Sequence, residues 1–138
     1  MNHTLSTLLL AALGAVAAPV SAAGLDIEVS GINDAPRAGL QLYSSRFSYP
    51  EQPRQTEMAD VFAGVAEFHF NDLAPGDYAV IVWADRNEDG EFDRSMFGKP
   101  KESYVFSNSV HEPEPDWDAV RFTIGGEPTQ LKLVVAEP

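Results

Sequence analysis

The sequence predicts an all-β protein: a single antiparallel two-sheet sandwich of about seven strands. Three observations lead there. Apolar and polar residues alternate along much of the chain, the period of a half-buried strand, and no helical stripe of period 3.6 competes with it. Turn-forming residues separate the alternating runs. A chain of 138 residues suits one domain with one two-layer core. Each alternating strand has one apolar face to bury, and two sheets packed face to face bury them all.

The elements follow in order. Leu25-Asp26-Ile27-Glu28-Val29 alternates cleanly and reads as the first strand. Turn residues over 31–36 lead to a second strand, Gly39-Leu40-Gln41-Leu42-Tyr43. The polar stretch 44–58, with Pro50 and Pro53, reads as a long loop. Residues 62–70 carry a third strand, with Val65, Phe68 and Phe70 as its apolar material. Pro75-Gly76 fits a type II turn, in which proline presets φ and glycine takes positive φ. The run 78–83 is the most apolar after the N-terminal stretch and predicts a central strand. Residues 85–109 have loop composition. Val120-Arg121-Phe122-Thr123-Ile124 alternates again, Gly125-Gly126 turns the chain, and Leu131-Lys132-Leu133-Val134-Val135 closes the domain.

Residues 1–23 read as a secretory signal peptide. The apolar run over 8–20 has the length of an h-region and is short for a membrane span. Val20-Ser21-Ala22 and Ser21-Ala22-Ala23 both offer small residues for cleavage, although the n-region carries no Lys or Arg. The reading is a removed leader, 1–23, and one domain, 24–138, in the periplasm or secreted; the leader is the same for both. All charged side chains lie beyond residue 23, so the net charge of −12 belongs to the domain. Such a surface repels polyanions, which argues against nucleic acid and against membrane association after signal removal. The absence of cysteine excludes disulfides, thiolate nucleophiles and lipoprotein anchoring.

The stretch Asp85-Arg86-Asn87-Glu88-Asp89-Gly90-Glu91-Phe92-Asp93 carries the most chemical information. Its spacing is that of a calcium loop, D-x-[DN]-x-[DN]-G, in which alternate oxygens converge on one ion and glycine permits the sharp turn. Asp85, Asn87, Asp89, Glu91 and Asp93 are the candidate donors, and calcium is the one cofactor the sequence suggests. The twelfth position, where an EF-hand places a bidentate Glu, is Met96. A site here needs another donor, Glu102 or a residue of a neighbouring loop. The competing reading is an acidic hairpin loop whose Asp and Asn side chains cap their own backbone amides.

These residues also carry a resemblance. Phe70-Asn71-Asp72-Leu73-Ala74-Pro75-Gly76-Asp77-Tyr78-Ala79-Val80 resembles the F-x-D-L-x-P-G-x-Y-A-V segment of uncharacterised-domain family 2141, a family of exported bacterial proteins. Asp85, Asn87, Gly90 and Asp93 match its D-x-N-x-x-G-x-x-D loop. Gly98, Pro100, Glu102, Tyr104 and Phe106-Ser107-Asn108 match its G-x-P-x-E-x-Y-x-F-S-N stretch, and 117–122 resembles its F-x-D-A-x-F segment. The likeness covers 62–124 well. Val105 stands where Gly is usual, Ser109-Val110 replaces an Asn-Ala pair, and Asp89 replaces a common Asn, adding an anionic oxygen. The resemblance implies an immunoglobulin-like or prealbumin-like sandwich and brings no established activity.

No catalytic constellation emerges. Ser107 or Ser109 can be drawn beside His111, but without a nucleophile elbow or oxyanion hole around them. His69, between Phe68 and Phe70, is expected to face solvent. Tyr104, Phe106, Asn108 and Trp117 are candidate binding residues, their rings a stacking surface for a sugar or a partner. In the alternative, Tyr104 and Phe106 fold under the loop and cover one end of the sandwich. The sequence therefore reads as a non-enzymatic binding or structural module of the bacterial envelope, its partner an envelope protein or polysaccharide. The alternatives are a calcium-dependent binding domain, for example for carbohydrate, and an unrecognised hydrolase.

Overall fold

The computed structural model describes Gly14 and residues 22–138. The expected leader, apart from Gly14, Ala22 and Ala23, lies outside the described residues. Among the described residues eight strands form two sheets: β1 Ala23–Ser30, β2 Arg37–Tyr43, β3 Gln55–Asp60, β4 Ala66–Leu73, β5 Gly76–Asp85, β6 Tyr104–Phe106, β7 Phe122–Ile124 and β8 Thr129–Val134. One sheet has the order β4-β1-β8; the other has β3-β2-β5-β6, with β7 paired to the start of β5. The expected sandwich is present. One pair departs from the antiparallel expectation, because β1 and β8 run parallel.

Packing explains which expectations failed. The central strand β5 is buried from Tyr78 to Asp85 without a break. A strand covered on both faces reads as a continuous apolar run, which is why 78–83 stood out. Tyr78, Val80, Val82 and Ala84 face the main core between the sheets, with Leu25, Ile27, Leu40, Leu42, Phe68 and Phe70. Ala79, Ile81 and Trp83 face outward into a second core, made with Tyr43, Tyr104, Phe106, Trp117 and Val120. Burying a side chain of this size stabilises by roughly 1.5–3 kcal/mol, so the second core is a substantial part of the fold.

The loop expected over 44–58 ends early, because Gln55–Asp60 pairs with β2 as an edge strand. Its residues are half-buried or exposed, so no apolar alternation marked it. The loop expected over 85–109 contains β6, three buried residues too few to show a period. Trp117–Val120 is one helical turn, α1, where the start of a strand was expected. The third strand begins at Ala66 rather than at 62. Residues 62–65 form a tight turn closed by reciprocal Phe62–Val65 bonds, with positive φ at both Ala63 and Gly64.

The type II turn at Pro75-Gly76 is not formed. Gly76, at φ 156°, is already extended in β5 and paired with Ile124, and the left-handed residue is Asp72, at φ 58°. The corner is closed instead by the Tyr78 hydroxyl, which donates to the Ala74 carbonyl at 2.7 Å. This is the tyrosine corner of sandwich folds.

Gly39 lies opposite Trp83 across the β2–β5 ladder, and a Cβ there would overlap the Trp83 ring. Gly39→Ala is expected to lower stability by about 1–3 kcal/mol through overpacking. Gly125→Ala, which meets nothing within 4 Å, is expected to be near neutral. Urea denaturation of both variants checks the contrast.

Candidate functional site

The loop 86–103 leaves the sheet from β5 and returns into β6. The pairing runs Ile81↔Phe106, Val82↔Val105, Trp83↔Tyr104, and the Ala84 amide continues it by donating to the Ser103 carbonyl at 2.9 Å. One step further brings Asp85 opposite Glu102. Both lie two residues from a ring of the second core, Trp83 and Tyr104, and so share its face of the sheet. Asp85 is 0% and Glu102 3% exposed. Two buried carboxylates therefore face each other at the neck of the loop.

Each carboxylate uses one oxygen to shape the loop. Asp85 Oδ2 accepts from the Gly90 amide at 3.0 Å, and Glu102 Oε2 accepts from the Asp93 amide at 3.2 Å. Among the described residues Asp85 Oδ1 and Glu102 Oε1 are buried with no hydrogen-bond partner. Among the described residues no ion pair reaches either group; Arg86, the nearest cation in sequence, turns away to Asp34 and Glu137. Burial pushes the Glu102 carboxyl up to about 7, and the charges of Asp93 and Asp85 add to the rise against amide bonds that oppose it.

Asn87 braces the loop interior by donating to Asp89 Oδ2 at 3.1 Å and Asp93 Oδ2 at 2.7 Å, while Asp89 Oδ1 accepts from the Glu91 amide at 2.9 Å. The capping expected of a plain acidic loop is thus present. Two carboxylate groups are close enough to hold an ion: Asp85, Asp89 and Glu102, and separately Asp89, Glu91 and Asp93, each with one oxygen per residue within 4.8 Å of the others. Of the candidate donors of the sequence, Asp85 falls in one group and Glu91 and Asp93 in the other, with Asp89 common to both, and the structure adds Glu102 to Asp85 and Asp89.

The expected stacking surface is not formed. Tyr104, Phe106 and Trp117 are 5%, 2% and 9% exposed, because they cover the outer face of β5. The reading in which Tyr104 and Phe106 fold under the loop is the one this packing matches. Asn108, at φ 61°, clamps the chain by donating to the Ala119 and Arg121 carbonyls at 3.1 and 2.9 Å. The Ser107 hydroxyl is buried and engaged with the Val80 amide and the Val120 carbonyl, so it is no nucleophile. His69 faces solvent as expected, 2.7 Å from its cross-strand neighbour Asp26 in the β4-β1-β8 sheet, and His111 Nε2 lies 2.9 Å from the Val134 carbonyl.

Above the second core lies an open cleft of about 1190 Å³, walled by residues of 46–51, 90–94 and 113–118. Its walls are cross-braced. Arg46 pairs with Asp118 at 2.7 Å; Arg94 lies over the Phe92 ring and donates to the Gly98 and Pro113 carbonyls. Tyr49 packs between Tyr43 and Trp117 at 5.2 and 5.8 Å, and burial pushes its phenol up to about 12, so it stays a donor, to Pro115. Sequence reasoning missed this cleft. Its one signal was the placement of Tyr49 and Trp117 inside Pro- and acid-rich stretches.

A family model described as "uncharacterized protein conserved in bacteria", family 2141, matches residues 27–132. No curated protein and no solved structure gives a match.

The Glu102 carboxyl, raised from 4.5 to about 7, binds its proton more tightly in the folded chain. That stabilisation is complete below pH 4.5 and is lost as pH rises through 7. In EDTA, melting midpoints at pH 5 and pH 7.5 are expected to fall more for the wild type than for Glu102→Gln, which has no proton to lose.

Proposed function

The chain belongs to this uncharacterised bacterial family, and on that premise we propose that it is an exported, non-catalytic binding module of the bacterial envelope whose ligand seat is the braced cleft. The cleft carries the reading: it is wide, its walls are tied by an ion pair, hydrogen bonds and ring contacts, and its floor is the second core. Preorganised walls favour binding, because little order is lost when a ligand enters. Phe47, Met96 and Phe97, each more than 90% exposed, stand on the same loops and offer apolar contact. The leader-like residues 1–23 support export to the periplasm or beyond. Among the described residues no helix is long and apolar enough to cross a membrane.

The chemistry of the lining narrows the ligand. Among the described residues Glu51, Glu91, Glu114 and Asp116 line the cleft without ion-pair partners, while its two arginines are engaged. Such a surface accepts hydrogen bonds from hydroxyl-rich or basic groups and repels polyanions. An envelope polysaccharide or a basic segment of an envelope protein fits it. In a second reading this binding depends on calcium, and what favours that reading is the pair of unpartnered, buried oxygens on Asp85 and Glu102.

Co-sedimentation of the purified protein with insoluble cell-wall polysaccharide, with assay of the supernatant for released fragments, tests the proposal. Binding without turnover is expected, weakened several-fold in the Glu114→Lys/Asp116→Lys variant. Released fragments would overturn the non-catalytic reading. Binding untouched by the double substitution would remove the cleft from it.

A further inference from the structure

We infer that Asp85 and Glu102, completed by Asp89, form a cross-strand site for one divalent cation of the calcium class. The inference rests on the calcium reading and deepens it. It assigns the ion to the neck of the loop instead of to the linear run 85–93.

The argument starts from the two strands. Asp85 ends β5, Glu102 precedes β6, and the β5–β6 register sets them face to face. Like charges opposed across a ladder repel, and burial strengthens the repulsion. Each carboxylate accepts from a loop amide through one oxygen, and among the described residues Asp85 Oδ1 and Glu102 Oε1 are buried without a hydrogen-bond partner, with the Arg86 amide also near the Glu102 carboxylate. Buried acceptors are almost always satisfied, so unpartnered oxygens on two opposed carboxylates call for a partner at the neck. Among the described residues none arrives: Arg86 is held by Asp34 and Glu137, and Arg94 by Phe92, Gly98 and Pro113.

The donor set then selects the cation. Three anionic oxygens and no His or Cys suit a hard ion. One oxygen from each of Asp85, Asp89 and Glu102 lies within 4.8 Å of the other two. Calcium takes about six to eight oxygens in a flexible geometry, whereas magnesium demands a near-ideal octahedron, so two strand-fixed carboxylates joined by one loop carboxylate suit calcium. Asp89 is on the exposed side of the set, which leaves room for the waters that complete calcium's coordination. Asn87 is excluded as a ligand, because its amide nitrogen faces Asp89 and Asp93 and braces them. The site also bears on the cleft. Asp85 holds the Gly90 amide, and 90–92 is a cleft wall.

Isothermal titration of chelator-treated protein with calcium chloride, and separately with magnesium chloride, is the test. One calcium per chain is expected, with a rise in melting midpoint by mass action and with magnesium weaker by about tenfold or more. Glu102→Gln is expected to weaken calcium by about tenfold or more, with Glu91→Gln and Asp93→Asn within about twofold. Should Glu102→Gln not fold, Asp89→Asn replaces it and is expected to show the same loss. Loss in Glu91→Gln or Asp93→Asn with retention in Glu102→Gln or Asp89→Asn overturns the cross-strand site and leaves the calcium reading standing. Equal affinity for magnesium overturns the calcium assignment. No calcium uptake by the wild type overturns both.

Discussion

Strand β5 has two apolar faces, and the molecule has only one partner sheet to offer. Val80 and Val82 are met by the facing sheet, as in any sandwich. Ile81 and Trp83 point the other way and would lie open to water unless something else covered them. Among the described residues the cover consists of loops. Tyr49 comes from the β2–β3 connection, Phe92 from the β5–β6 connection, and Trp117 and Val120 from the turn before β7. Loops of this length rarely hold one conformation without anchors. Here each loop contributes a ring to the outer core, and the ring fixes it.

The same requirement makes the cleft and the acidic neck. Loops that bury rings beneath them must turn their polar side outward, and three of them meeting over one sheet face leave a polar depression between them. The β5–β6 loop has a further constraint. It is held in its middle by Phe92, 5.8 Å from Trp83 and 5.7 Å from Tyr104, and at its neck by amide bonds to Asp85 and Glu102. The apolar anchor works under all conditions. The carboxylate anchor works only if the charge at the neck is balanced, which makes it the conditional half of the loop's fixing.

What the sequence revealed depended on how much of the evidence was periodic. β1 and β5 announced themselves, one by clean alternation and the other by an unbroken apolar run. β3 and β6 did not, because a polar edge strand and a three-residue strand leave no period to read; pairing partners far away in the chain define them. Glu102 was legible as a missing donor, since the loop spacing lacked a ligand at Met96. Its position opposite Asp85 was not, because it depends on a register set by β5 and β6 together. Tyr104 and Phe106 could be read as a stacking surface or as folded under the loop, and the outer face of β5 takes them, with Trp117, into the core.

Charge ties these levels together. A net charge of −12 on so small a domain works against compaction, because folding brings like charges closer. Most of the acids avoid that penalty by staying on the surface, where water screens them. Asp85 and Glu102 cannot, since the ladder that places Trp83 against Tyr104 also draws them inward. Apolar residues at these two positions would have closed the strand ends more simply, as replacement of buried ionic groups elsewhere shows. Carboxylates there instead make the end of the β5–β6 ladder responsive to whatever neutralises it. The geometry that satisfies the outer core thus also sets the chemistry of the neck, and the cleft wall inherits that dependence through Gly90.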